Sequence, residues 1–427
     1  MLGEIILEKD MNRASKFTAA IICVSIIAGA AWTRQTRSRP IDSLTSEEWA
    51  ADLDFLISEL PKKHKNLYFK LSEERFQKMA EELRREIPSL TREQIQVGFK
   101  KILAAVGDAH TDTYWRPERA LPLMLYWFDD GIFILNTTDK YKEALYTRIT
   151  AVGGKPIEQV VEKLRLIIPH ENEAQVKNKM GSLLTQTDIL FALGITPDKE
   201  ETTLDILDKE GVEKRLKMAP ISMTSRPDWL VNTGDTSEAP LYRQRAGEYY
   251  WYHFLEDSGT LFFKYNACRP MKNKPFSQFT KEVFECVDQN EVRRMVIDLR
   301  HNGGGNSGIF NPFLKEIKNR ESLNKKGRLF VLIGRRTFSS AVLNAIQLKN
   351  QAAALYAGEP SGGKPNHFGE IKVFQLPNSK LPIQYSTKYF TIAREDTPSL
   401  IPDIPVRIRF QDYLDKKDPV LEAVISR

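Results

Sequence analysis

Apolar residues recur at helical spacing in three stretches near the start of the chain. Thr45 and Glu48 form a capping box ahead of Trp49, Leu53, Leu56, Ile57 and Leu60, and Pro61 is expected to end that helix. Ser72 is positioned to cap a second helix carrying Phe76, Met79 and Leu83. Thr91 and Gln94 make another capping box before Ile95, Phe99, Ile102 and Leu103. The third pattern runs directly into Gly107-Asp108-Ala109-His110-Thr111, so a helical region delivers a histidine on a tight loop.

From about Leu121 the pattern changes to short strands: LMLYWF, GIFILNT and YTRITAVGG. ITAVGGKPIEQVVEKL reads as strand, turn, helix, and TTLDILDKEGVEKRLKMAP as a hairpin. Residues 148–220 therefore suit either a small PDZ-like insert or a β-rich connector. The last half has a stronger rhythm. Apolar strands at TLFFKYN (260–266), MVIDL (295–299), RLFVLIG (328–334) and AALYAG (353–358) are separated by helical patterns, one with Phe276, Phe279, Val283 and Cys286, another with Val342, Leu343, Ile346 and Leu348. This alternation predicts βαβ units and a mostly parallel sheet, whose chemistry would sit beyond the carboxyl ends of the strands.

Length and composition narrow the picture. A chain of 427 residues, 41% hydrophobic and 28% charged, is globular and long enough for two or three domains. The net charge of +6 is spread along the sequence rather than gathered into a basic stripe, which argues against a nucleic-acid partner. No Cys or His pair has zinc-ligand spacing, so neither a metal nor a cofactor is expected. Cys23 lies in an N-terminal apolar run; Cys268 and Cys286 are expected to be free, buried thiols. Phe17–Trp32 is uncharged and follows Arg13 and Lys16, with Ala28-Gly29-Ala30 as a small-x-small cleavage pattern. Arg34, Arg37 and Arg39 follow closely, so a cleaved signal and a membrane anchor at residues 17–32 both stay open, and the expected location is extracytoplasmic.

Three motifs fall at predicted strand ends. Asp298-Leu299-Arg300-His301-Asn302-Gly303-Gly304-Gly305 can turn sharply and present backbone N–H groups, either as a phosphate cradle or as an oxyanion hole. Thr337-Phe338-Ser339-Ser340-Ala341 opens a helix, where a serine is either a nucleophile or a simple N-cap. Gly358-Glu359-Pro360-Ser361-Gly362-Gly363-Lys364-Pro365 projects Lys364, a desolvated base or a solvated loop lysine, toward the same sheet edge.

Taken together, V-I-D-L-R-x-N-x-G-G, T-F-S-S-A and G-E-P-x-x-G-K resemble the tail-specific protease (C-terminal processing peptidase) family, over at least residues 260–405. Asp108-x-His110-Thr111, Tyr265-Asn266 and Pro402-Asp403-Ile404 extend the resemblance to most of the chain expected to follow the export segment. It implies a serine-type peptidase acting on a peptide or protein, with an α/β fold: a crotonase/ClpP-like βαβ core with an N-terminal helical region and a β-rich, PDZ-like addition. It places the nucleophile at Ser339 and the oxyanion hole at the amides of Gly303 or Gly304 and Ser340. For the base it offers two positions. Lys364 matches the serine–lysine branch, although Phe368 stands where that branch often has glutamine. His110 matches the tricorn-like branch, with Asp396 or its neighbour Glu395 as the orienting carboxylate, although Ala109 replaces a serine there. His110 is the preferred base, because histidine needs no large pKa shift at neutral pH. His64 and His170 lie in polar stretches, His253 in an aromatic run and His301 in the glycine motif; His367 is a minor candidate for the base.

The expected division is 1–40 (signal or anchor plus linker), 41–115 (helical), 116–235 (β-rich) and 236–427 (α/β peptidase core). Two rivals remain: a non-catalytic ligand- or peptide-binding module on the same fold, and an acyl-CoA enzyme of crotonase type, which an export segment disfavours because coenzyme A is cytoplasmic.

Overall fold

The computed structural model describes residues 43–427 except 116, 233 and 235, so the apolar run at 17–32 and Cys23 lie outside the described residues. The helices are α1 (Ser46–Lys63), α2 (Glu73–Glu86), α3 (Arg92–Ala105), α4 (Ile157–Arg165), α5 (Glu173–Leu183), α6 (Thr187–Ala192), α7 (Phe276–Gln289), α8 (Asn311–Lys318), α9 (Ser340–Gln351), α10 (Phe410–Leu414) and α11 (Pro419–Ile425). Among the described residues no helix is long and apolar enough to cross a membrane.

The site is built on a six-stranded sheet ordered Tyr250–Leu255, Thr260–Tyr265, Arg294–Asp298, Leu329–Ile333, Leu355–Gly358, Ile404–Pro405. Its first pair is antiparallel and all later pairs are parallel. Helices α7, α8 and α9 are the crossovers, as the alternating pattern predicts. Strand residues divide between the faces with period two. Leu261, Phe263, Met295, Ile297, Leu329 and Val331 pack with the faces of α7–α9. Phe262, Val296, Phe330 and Leu332 pack with Val420, Leu421 and Val424 of α11 on the other side. Both faces being covered explains why these strands read as continuous apolar runs.

A second, antiparallel sheet holds Met124–Phe128, Gly131–Asn136, Arg148–Val152, Thr202–Leu207 and Glu213–Met218 in that order, with Lys155–Pro156 alongside Arg148–Val152. Its core includes Ile134, Val152, Leu204 and residues of α4–α6. The expected hairpin and strand–turn–helix are both present.

A third sheet orders Asp112–Thr113, Pro382–Phe390, His367–Gln375 and closes over α1–α3, with Ile383 and Tyr385 packed among Leu53, Phe99 and Leu103. Both capping boxes form, at Thr45–Glu48 and Thr91–Gln94. Pro61 does not end α1, which continues to Lys63. A proline this close to the C-terminus forfeits one helical hydrogen bond, and the buried Trp49, Leu53, Leu56 and Leu60 face holds the last turn in place. Cys268 and Cys286 are both free, the first buried and the second half-buried.

Candidate active site

Four loops converge at the carboxyl ends of the parallel strands. The strand Leu329–Ile333 leads into Ser339, which occupies the N-cap position of α9. An N-cap serine ordinarily has extended backbone and bonds the helix N–H groups. Ser339 does neither: its φ is 52° and ψ −126°, and its side chain makes no capping bond. A non-glycine residue held there stores about 1–3 kcal/mol of strain, which surrounding bonds must impose. They are present. Phe338 N donates to Asn302 O at 3.1 Å and Gly363 N to Thr337 O at 3.1 Å. Thr337 Oγ1 donates to Leu299 O at 2.8 Å and accepts from Gly334 N. Ser340 differs from Ser339, since its hydroxyl is used in a 2.7 Å bond to Gly305 O.

The glycine-rich turn lies against this serine. A Cβ on Gly304 would come within 2.9 Å of Ser339 Cβ and 3.0 Å of Ser340 N, and Gly304 has φ +103°. Only glycine suits both the conformation and the approach. The Gly304 amide is already committed to Asn302 Oδ1 at 2.9 Å. The amides of Gly303 and Ser340 have no hydrogen-bond partner among the described residues.

A buried ionic network fixes the turn from behind. Arg300 bonds Asp298 through Nε and Nη2 (3.1 and 2.7 Å) and Asp418 through Nη1 and Nη2 (2.7 and 2.8 Å). Lys264, fully buried, lies 3.1 Å from Asp298. Burial pushes the Lys264 ammonium down to about 8 despite the pull of Asp298. Burial opposes charge on Asp298, but Arg300 and Lys264 hold its carboxyl well below the usual range. His301 is driven well below the ordinary imidazole value by burial and by Lys264.

The loop after α3 supplies His110. Its ring stacks on Phe338, the residue before Ser339, at 4.5 Å, and on His367 at 5.6 Å. Its carbonyl is held by Gln384 Nε2 at 2.6 Å. Both ring nitrogens are buried, and neither is hydrogen-bonded among the described residues. The nearest carboxylate recorded is Asp108, whose Oδ1 is 3.8 Å from His110 Nδ1, an ion-pair rather than a hydrogen-bond distance.

Asp108 is fully buried and heavily bonded. Oδ1 accepts from His110 N (2.9 Å); Oδ2 accepts from Thr111 Oγ1 (2.6 Å), Ser386 Oγ (2.7 Å) and His64 Nε2 (3.0 Å). Asn66 N donates to His64 Nδ1, which puts the proton of a neutral His64 on Nε2, facing Asp108. Burial raises the carboxyl's pKa, but the interactions with His110, His64 and Thr111 outweigh it and keep Asp108 ionised far below its usual range. His64 is the residue that sequence reasoning passed over. No local pattern marks it, because its partner lies 44 positions away.

Lys364 and Asp396 meet each other: Lys364 Nζ is 2.7 Å from Asp396 Oδ2, and Asp396 is exposed. Asp108 thus occupies the position beside His110 that the resemblance assigned to Asp396. His367 Nδ1 donates to Lys364 O at 2.8 Å, and burial lowers its pKa to about 4, so it is neutral.

The fold built around these loops is that of known proteases. Mature CPAF in complex with lactacystin superposes with a TM-score of 0.64 at 14% identity, covering 90% of this chain and 98% of that one. The CPAF S499A mutant gives 0.60 at 14% identity, covering 89% and 98%. The photosystem II D1 C-terminal processing protease covers 90% and 97% at 13% identity, with a TM-score of 0.39. No family model and no curated protein sequence matches the chain.

Proposed function

We propose that the chain is a serine peptidase of the tail-specific protease family in which Ser339 is the nucleophile and His110 the general base. The observation that carries this reading is the strained, uncapped Ser339 set against Gly304. Such a backbone has no purpose in a simple helix cap, and it is the arrangement a nucleophile elbow requires. In this reading His110 takes the Ser339 proton as the hydroxyl attacks a peptide carbonyl, then returns it to the leaving amine. Asp108, ionised and rigidly held, stabilises the imidazolium; His64 and Thr111 position Asp108. The amides of Gly303 and Ser340 would receive the oxyanion, with Gly304 allowing the close approach. The Lys364–Asp396 pair argues against a lysine base, since the Lys364 side chain is engaged by Asp396 and not by Ser339.

The finer fold assignments belong to the same proposal. The βαβ succession supports a crotonase-like core, and the strand–turn–helix–hairpin order within 148–218 supports a PDZ-like insert. Export rests on the Phe17–Trp32 run alone. Replacing Ser339 with alanine should remove peptide hydrolysis while leaving the circular dichroism spectrum unchanged. Retained turnover in that variant would end the proposal.

A further inference from the structure

Next to the loop that carries Asp108 lies a cavity of about 530 Å³. This is the size range of small-molecule sites. Its lining includes neither Ser339 nor His110, yet it contains Gly107, next to Asp108, and Lys364 itself.

One wall is aromatic. Phe368 lies between Phe69 (ring centroids 4.5 Å) and Tyr389 (4.7 Å), all three lining the cavity, and Phe69 and Tyr389 are exposed at 39% and 41%. Phe368 also touches the ring of His64 at 5.1 Å, so the wall backs onto the group that bonds Asp108. The charges are unbalanced. Lys65, Lys70 and Lys364 all line the cavity, and among the described residues only Lys364 of the three is in a salt bridge, with Asp396. Lys70 lies along Gly107, where a Cβ would meet its Cδ at 2.5 Å.

The remaining acid is Glu171. Its Oε2 is closed off from solvent and has no hydrogen-bond partner among the described residues. Burial, reinforced by the negative charge of Asp108 and opposed by Lys364 and Lys70, pushes its carboxyl up to about 8. A protonated carboxyl there is a donor beside Lys364, which pairs with Asp396, and Lys70, which has no salt bridge among the described residues.

We infer that this cavity is a binding site for a carboxylate carried on an aromatic body, with the ring against Phe69, Phe368 and Tyr389 and the carboxylate received by Lys65, Lys70 and Glu171. The same chemistry can come from a free aryl acid or from an aromatic residue at a peptide C-terminus. The site is separate from the attack on a peptide bond and holds whether or not Ser339 is the nucleophile.

The test uses the full chain with Ser339→Ala, so that binding is read without turnover. Calorimetric titration with 3-phenylpropionate is expected to saturate with a Kd on the order of 1 mM or tighter. The Lys65→Gln/Lys70→Gln double variant and Phe69→Ala, all at exposed positions, should each weaken binding roughly tenfold or more. The neutral 3-phenylpropanamide should bind at least about tenfold more weakly than the acid. N-acetylglycylphenylalanine binding more tightly than 3-phenylpropionate assigns the site to a peptide terminus, and weaker binding assigns it to a free aryl acid. Absence of saturation with folded protein overturns the inference. So does equal affinity of the acid for either variant, or of the amide and the acid.

Discussion

At the scale of single residues the proposal turns on which base serves Ser339. His110 has two unbonded, buried ring nitrogens beside an ionised Asp108, whereas Lys364 is tied to Asp396. His110→Ala should therefore lower kcat by ~10²–10⁴-fold, the range for a positioned general base. Asp108→Asn should cost a comparable amount, because the imidazolium loses its counter-charge. Lys364→Ala should keep measurable turnover; steady-state kinetics of the three variants decides among them. An inactive Lys364→Ala beside a healthy His110→Ala would transfer the role to lysine. Much of this was legible in the sequence. The Asp108–Thr111 loop, the glycine run and the Ser339 turn all announce themselves through local motifs. The carboxylate proposed to orient His110 was not legible: the resemblance offered Asp396 or Glu395, and only the folded loops pair Asp396 with Lys364 and bring Asp108 beside His110. His64, in a lysine-rich stretch, gave no sign of a fully buried side chain bonded to Asp108.

At the scale of elements the glycine turn and the start of α9 act as one unit. Gly304 is the test position. A Cβ would press on Ser339 and on the Ser340 amide, both backbone-anchored, at a φ that disfavours any side chain. Gly304→Ala is expected to reduce kcat by at least ~10²-fold, the scale of a lost oxyanion-hole donor. The fold should persist, since the strain is local to the turn; kcat and a thermal melt on the same sample separate the two effects. The strands that carry these loops were foreseen because both faces of the parallel sheet are covered, which leaves largely apolar runs at 261–263 and 329–333. The hairpin of His367–Gln375 and Pro382–Phe390 escaped notice. Its outer strand is largely exposed from Glu370 to Val373, so it lacks the apolar signature of a core strand.

At the scale of the whole molecule, buried charge governs the pH range of stability. Asp108 and Asp298 have carboxyl pKa values held far below normal. The stability they contribute is present above the unfolded carboxyl value and is lost as pH falls through their folded values. Glu171 acts in the opposite sense. Its pKa, raised to about 8, means that the folded state holds the proton more tightly, so stability declines between the ordinary carboxyl value and about 8. Glu171→Gln should raise the melting temperature above pH 8 by at least about 2–4 °C. The gain should vanish near pH 5, where wild-type Glu171 is protonated in the folded state; a gain independent of pH would assign it to packing. The Arg300–Asp418 bonds join α11 to the glycine turn across the sheet. Removing one partner, as in Asp418→Ala, should destabilise by roughly 3–5 kcal/mol in urea unfolding, the cost of a buried, unpaired charge.

The most direct measurement is covalent labelling with a fluorophosphonate followed by peptide mapping. The account predicts a single modified serine, Ser339, with no labelling of Ser339→Ala. Labelling should be slowed by at least ~10²-fold in His110→Ala and little changed in Lys364→Ala. Modification at Ser340 instead, or no modification of a folded wild-type chain, would contradict it.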